Sequence, residues 1–386
     1  MEKSPKARTR KINYQFKILY AIGIISVLIY HLGIKSTIRP FIDWFAYNPF
    51  VLALFVFCSG YFYKNKNEDH PFKYIMKKVK RLIVPLLLWN LFYAGIVLLL
   101  SVKEFTIGRE ISIDSLLFAP FRDGHQFVYN LGSWFIAPLF SIELVNILTR
   151  IAVFKKLKPF LRDVLLLIFS FCLGAISVHL ATNGLTKGWL LLLTRTFFLF
   201  PFFEIGVIYK NYLETRDKLP NIIYYSLVII AALIINTICG HVPEYTVSTM
   251  TGFNGSTLFP YLSALIPIAF WLRTSKILTP LIGNNRIINT IADNTYTIMV
   301  NHILGFMLVK TFFAILTKIV SMAPAFDWTS YKSNIWYYYY PFNNHNFSII
   351  YLVAGITLPI IMQKIAHYLY LLIRKKIIHH YCLLMI

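Results

Sequence analysis

Two histidines stand inside long apolar stretches of this chain, His31 near the end of the first stretch and His302 well within the ninth. A neutral imidazole can take a proton from a hydroxyl near neutral pH, which is what a general base requires. Ionisable groups are costly inside a bilayer and tend to mark functional sites there, so Glu143, His179, Arg195, Glu204 and Asp293 are candidates too. Each has a plainer reading. A buried His is as readily a hydrogen-bonded packing residue, and Glu143 and His179 fall near helix ends, where interfacial water can solvate them. His31 has more behind it. At ~100° per residue, a position eleven residues earlier on a helix is displaced by only ~20°, and one fourteen earlier by ~40°. Tyr20, Ile24, Val27 and His31 therefore form one stripe, with Lys17 at its foot. A cation at one end and a base at the other suit a substrate that enters from the cytoplasm and reacts across the membrane along a continuous tunnel, and an anionic cofactor fits that stripe.

The elements that must carry these residues are legible in the composition. The chain of 386 residues is 57% hydrophobic and only 14% charged, against about 25% charged in soluble globular domains. That balance excludes a soluble fold, and the 4 Cys and 17 Gly exclude a disulfide scaffold and collagen. Ten apolar segments, at about 16–34, 45–63, 82–101, 131–149, 164–181, 189–209, 222–240, 257–272, 287–309 and 347–373, are each long enough to cross a bilayer core. They predict an all-α polytopic integral membrane protein built as one domain. Its tails would be a basic N-terminal segment, 1–15, and a C-terminal segment, 374–386.

The net charge of +22 suits either nucleic-acid binding or membrane orientation. Most Lys and Arg fall in alternate connections: the N-terminus, Lys64–Arg81, 150–162, 210–218, 273–286 and the C-terminal region from Lys364. The opposite connections hold Lys35, Arg39, Lys103, Arg109, Arg122, Lys187, Lys310, Lys318 and Lys332, and Arg195 alone falls inside a span. This bias places both termini in the cytoplasm and removes nucleic acid as a partner; the lipid bilayer takes its place. No cleavage-site pattern follows the first segment, which reads as a retained helix. Cys58, Cys172, Cys239 and Cys382 have no metal-ligand spacing, so no metal is expected.

A series of short motifs along the whole chain resembles the membrane-bound acyltransferase-3 family, ten-helix O-acyltransferases of bacterial surface glycans. Lys17–His31 (KILYAIGIISVLIYH) resembles the family's first helix with its terminal histidine, and Phe55–Lys64 (FVFCSGYFYK) the end of its second. Lys78–Tyr93 (KVKRLIVPLLLWNLFY) is similar to its basic, Pro- and Trp-bearing third. Asn130–Phe140 (NLGSWFIAPLF), Phe197–Lys210 (FFLFPFFEIGVIYK) and Asn294–His302 (NTYTIMVNH) follow in the family's order. The family usually has Arg or Lys eleven residues before its histidine. Tyr20 stands there in this chain, leaving Lys17 as the cation on the stripe.

The resemblance implies transfer of an acetyl or other short acyl group from acyl-CoA, most simply acetyl-CoA, to a hydroxyl of a surface polysaccharide or lipid-linked glycan. The donor would be a substrate from the cytoplasm, with no permanently bound cofactor, and the glycan would be met at the outer side of a bacterial inner membrane. His31 is then the general base or the carrier of a transient acyl group, and His302 an aid to acceptor orientation or oxyanion support. Lys17, Tyr20, Ser59, Gly60, Lys78, Arg81 and Arg195 are the donor-binding candidates. Ser59 and Gly60 equally suit a helix-packing notch, and the basic cluster around Lys78 and Arg81 is equally explained by orientation. The competing function is a transporter or flippase for lipid-linked glycans or small solutes.

Overall fold

The computed structural model describes residues 12–33, 44–46, 50–106, 108–240, 245–253 and 255–384. The basic residues expected in the tail before Ile12, and Lys35 and Arg39, lie outside the described residues. Among the described residues ten helices are long and apolar enough to cross a membrane, giving the polytopic all-α architecture that the apolar periodicity predicts. They are α1 (Tyr14–His31), α2 (Phe50–Tyr61, within the candidate span Trp44–Tyr61), α3 (Pro71–Ser101), α4 (Val128–Ala152) and α5 (Pro159–Thr182). Then come α6 (Trp189–Leu213), α7 (Asn221–Cys239), α8 (Leu258–Ile282), α9 (Thr295–Ile319) and α10 (Ser348–Leu384).

Burial sorts these helices into layers. The apolar windows of the second, sixth and ninth spans are 73%, 72% and 78% buried, whereas those of α7 and α10 are only 17% and 22%. A helix apolar all round with most of its surface uncovered is stable where lipid covers it. The inner helices pack closely because small residues meet at their crossings. A Cβ on Gly60 of α2 would stand 1.9 Å from the carbonyl oxygen of Phe203, and one on Gly206 of α6 2.1 Å from that of Phe57. Backbone must move to admit either methyl. Gly206→Ala is therefore expected to lose about 1–3 kcal/mol by overpacking, read as a lower thermal unfolding midpoint in detergent.

The segment edges shift in two places. The ninth apolar segment divides: Arg286–Asp293 forms a separate short helix, and α9 begins only after Asn294 (φ −107°, ψ 14°) and runs to Ile319. Averaged hydropathy cannot see that break, because the short helix is amphipathic. In α3, Val79–Ile83 forms a widened turn immediately before Pro85. Pro85 has no N–H to offer the Arg81 carbonyl four residues back, which accounts for the irregular ladder. The turn carries Arg81 and follows Lys78.

The charge count by connections also needs correction. Arg150, Arg162, Arg273 and Lys310, assigned to loops by sequence, are buried within helices. Arg150 binds Asp163 at 2.7 Å, Glu204 at 2.7 Å and Asn146 at 2.6 Å, while Arg162 binds Glu68 at 2.6 Å. Arg273 pairs with Asp217. A guanidinium that finds carboxylates is retained inside, paired and hydrogen-bonded. Arg150 ties α4, α5 and α6 together at the basic end of the bundle. Glu204 is thus engaged with Arg150.

Candidate functional site

Helix α1 carries its stripe from the basic end to the far end of the bundle, with Tyr20 and His31 about 16 Å apart along the axis. At the far end, His31 Nδ1 lies 2.6 Å from His302 Nε2, and the two rings stack with centroids 4.9 Å apart and planes 11° from parallel. His302 is fully buried. Its Nδ1 lies 3.0 Å from the Ile298 carbonyl oxygen and 2.9 Å from that of Met299.

These contacts assign the protons. Carbonyl oxygens only accept, so His302 Nδ1 carries the hydrogen, and a neutral His302 presents the lone pair of Nε2 to His31. His31 Nδ1 must therefore donate, which leaves its Nε2 unprotonated and available as a base. A His oriented by a hydrogen bond to its other nitrogen is the arrangement a general base needs. The Tyr338 hydroxyl donates to the His31 backbone carbonyl at 2.9 Å, and the Trp336 ring lies 5.4 Å from the imidazole. The loop Trp336-Tyr337-Tyr338-Tyr339-Tyr340 thus closes over this end of the stripe.

His31 lines a cavity of about 100 Å³ together with Val27, Leu52, Gly132, Trp134, Phe135, Met299 and the segment Tyr245–Ser248. The Asn-Leu-Gly-Ser-Trp-Phe motif supplies Gly132, Trp134 and Phe135. A Cβ on Gly132 would be 2.0 Å from the Met299 carbonyl oxygen and 3.2 Å from His302 Cε1. Only glycine lets this turn approach α9 so closely.

A second cavity, of about 790 Å³, opens at the basic end. Lys17, Tyr20, Ser59, Lys78 and Arg81, five of the residues singled out from sequence for donor binding, line it together. Lys64 and Lys77 add two more cations, and Asp293 is the one carboxylate in the lining among the described residues. Lys17 pairs with Asp293, so part of its charge is already answered. Lys64 and Arg81 make no ion pair among the described residues. Tyr20 stacks on Phe55 at 5.9 Å.

Glu143 was expected near an interface, but it is buried and organises this wall. It accepts hydrogen bonds from Ser59 (2.5 Å), Tyr74 and Lys78. Its position in an apolar segment was the signal. Its three partners come from elements that sequence alone does not bring together. His179, by contrast, is exposed at the end of α5.

Two donor-binding candidates lie elsewhere. Gly60 is the packing notch against Phe203 described above. Arg195 sits near the far end: its guanidinium donates to the carbonyls of Ser248 and Asp123 and lies 4.5 Å from the centre of the Trp134 ring. Trp134 and Ser248 both line the His31 cavity.

The continuous tunnel expected from the stripe is interrupted. Among the described residues the two cavities share no lining residue. Between them Ile24, Phe55 and Val56 are buried, and the Phe55 ring lies against Gly23, where a Cβ would be 3.0 Å from it.

The acyltransferase-3 family model, described as an acyltransferase domain, matches residues 13–364. The chain belongs to that family. No curated protein and no solved structure matches it. The family match takes in α1 to α9, the first part of α10 and both histidines, so the imidazole pair and the cation-lined cavity belong to an acyltransferase domain.

Proposed function

We propose that the protein transfers an acetyl or other short acyl group from acyl-CoA, bound in the cation-lined cavity, to a hydroxyl of a surface polysaccharide or lipid-linked glycan presented at the His31 end. The membrane is then a bacterial inner membrane, with the basic end in the cytoplasm. The observation that carries this reading is the chain from the Ile298 and Met299 carbonyls through His302 to His31, which leaves His31 Nε2 free to take a proton.

The hydroxyl oxygen attacks the thioester carbonyl carbon while its proton passes to His31 Nε2. The carbonyl π pair moves onto oxygen. When that pair returns, the carbon–sulfur bond breaks, and the departing thiolate takes the proton from the imidazolium, leaving ester and coenzyme A. His302 Nε2 accepts from His31 Nδ1 throughout and so holds the ring in place as it charges. An acyl-histidine route would use the same lone pair as nucleophile. The small apolar cavity at His31 suits a short acyl group. The Lys64, Lys77, Lys78 and Arg81 side chains suit the phosphates of the donor. Membership of an acyltransferase family favours this reading over a carrier.

Purified protein in detergent with radiolabelled acetyl-CoA tests it. Release of coenzyme A with labelled acetate or acetyl ester is expected. Lys64→Gln with Arg81→Gln should raise KM for acetyl-CoA about tenfold or more, with kcat little changed, because uniform binding is lost. Solute uptake into liposomes with no acyl chemistry would reject the enzyme.

A further inference from the structure

We propose that the indole N–H of Trp134 stabilises the oxyanion formed during acyl transfer, with Arg195 as the positioning residue that places positive charge behind the indole. The proposal rests on the acyl-transfer reading of the His31 cavity.

Attack on a thioester places negative charge on the carbonyl oxygen, and a preorganised donor in a water-poor site is the largest single aid to that step. Among the groups around the cavity, the Tyr245 hydroxyl already donates to the Pro260 carbonyl at 2.8 Å. Trp134 lines the cavity with His31, and its indole N–H has no acceptor among the described residues. An indole nitrogen can only donate, so this donor waits for an acceptor that comes with the substrate.

The charge behind it is unusual for this molecule. Arg195 is buried, with its Cζ 4.5 Å from the Trp134 ring centroid. It bonds backbone carbonyls of Ser248 and Asp123 and makes no ion pair among the described residues. The Asp123 carboxylate is taken up by Arg109 at 2.8 Å and lies 3.9 Å from Arg122. Arg150, Arg162 and Arg273, the buried guanidiniums of the basic end, all have carboxylates. A guanidinium cannot shed its proton to relieve the imbalance. Its charge therefore remains in a low-dielectric site, drawing ring electrons toward one face and leaving the N–H edge more positive. The field extends past the ring: burial, and after it the Arg195 charge, push the neighbouring His125 imidazole down to about 4.

The ring is also held firmly. Gly124 adopts φ +71°, and a Cβ there would lie 2.5 Å from Trp134 Cβ, so the Asp123–Gly124 turn rests directly on the Trp134 backbone. Arg195 grips the same turn through the Asp123 carbonyl at 3.1 Å.

The test uses the full chain in detergent with acetyl-CoA as probe and water as acceptor, reading thiol release. Trp134→Phe keeps a packing ring and the cation contact but deletes the N–H. Its kcat is expected to fall about 100-fold, with KM for acetyl-CoA and the thermal midpoint unchanged. Arg195→Gln should lower kcat in the same sense, and Arg195→Lys, which keeps the charge, should recover part of it. Turnover by Trp134→Phe within about threefold of the parent, or a loss matched by a lower thermal midpoint, overturns the role. His31→Ala separates the two readings. An inactive His31→Ala beside an active Trp134→Phe removes only the oxyanion role, whereas an active His31→Ala removes the underlying reaction.

Discussion

His31→Ala is expected to reduce thiol release from acetyl-CoA by about 10⁴-fold or more, with the protein still inserted and its thermal midpoint little changed. The size follows from the role. Without the ring the cavity lining loses its imidazole, and His302 Nε2, 2.6 Å behind His31 Nδ1, is set back from the position that His31 Nε2 occupied. The fold does not depend on that ring, because His31 is the last residue of α1 and only partly buried. Circular dichroism and size-exclusion profiles identical to the parent would show that chemistry, not folding, was lost. Activity retained at a tenth of the parent value or more would leave no base role for His31.

His302→Leu is the second large effect. Removing Nε2 takes away the acceptor of the His31 Nδ1 hydrogen, so His31 can adopt either tautomer and the imidazolium loses its stabilising partner. Breaking the orienting partner of a catalytic histidine costs up to ~10⁴-fold in kcat, and a loss of about 10²–10⁴-fold is expected here. His302→Gln provides the discriminating rescue. Its amide NH₂ can donate to the Ile298 or Met299 carbonyl while its oxygen accepts from His31 Nδ1, so it should recover much of the turnover. Equal losses for Leu and Gln would mean that His302 acts through packing alone.

The spans were legible because lipid imposes a length and a composition on every crossing segment, and the residues of the α1 stripe were legible because the helix period fixes which of them share a face. Five residues of the cation-lined cavity could be named: Lys17 and Tyr20 by helix phase, and Ser59, Lys78 and Arg81 through a family resemblance. What remained hidden depended on pairing between distant segments. The contact of His31 with His302 spans 271 residues, and no local pattern specifies it. Arg195 is a donor-binding candidate by sequence because an isolated cation in a span invites that role, yet its position along α6 puts it beside Trp134. Glu143 was read as a solvated end residue because Tyr74 and Lys78, which satisfy it, enter from another helix.

The closed partition formed by Ile24, Phe55 and Val56 has a consequence for the cell that surrounds this enzyme. An open aqueous bore would leak ions, and each charge crossing a polarised bilayer dissipates about 2.3 kcal/mol per 100 mV. Side chains packed between the two cavities let a cavity open at either end while the membrane keeps its electrical insulation.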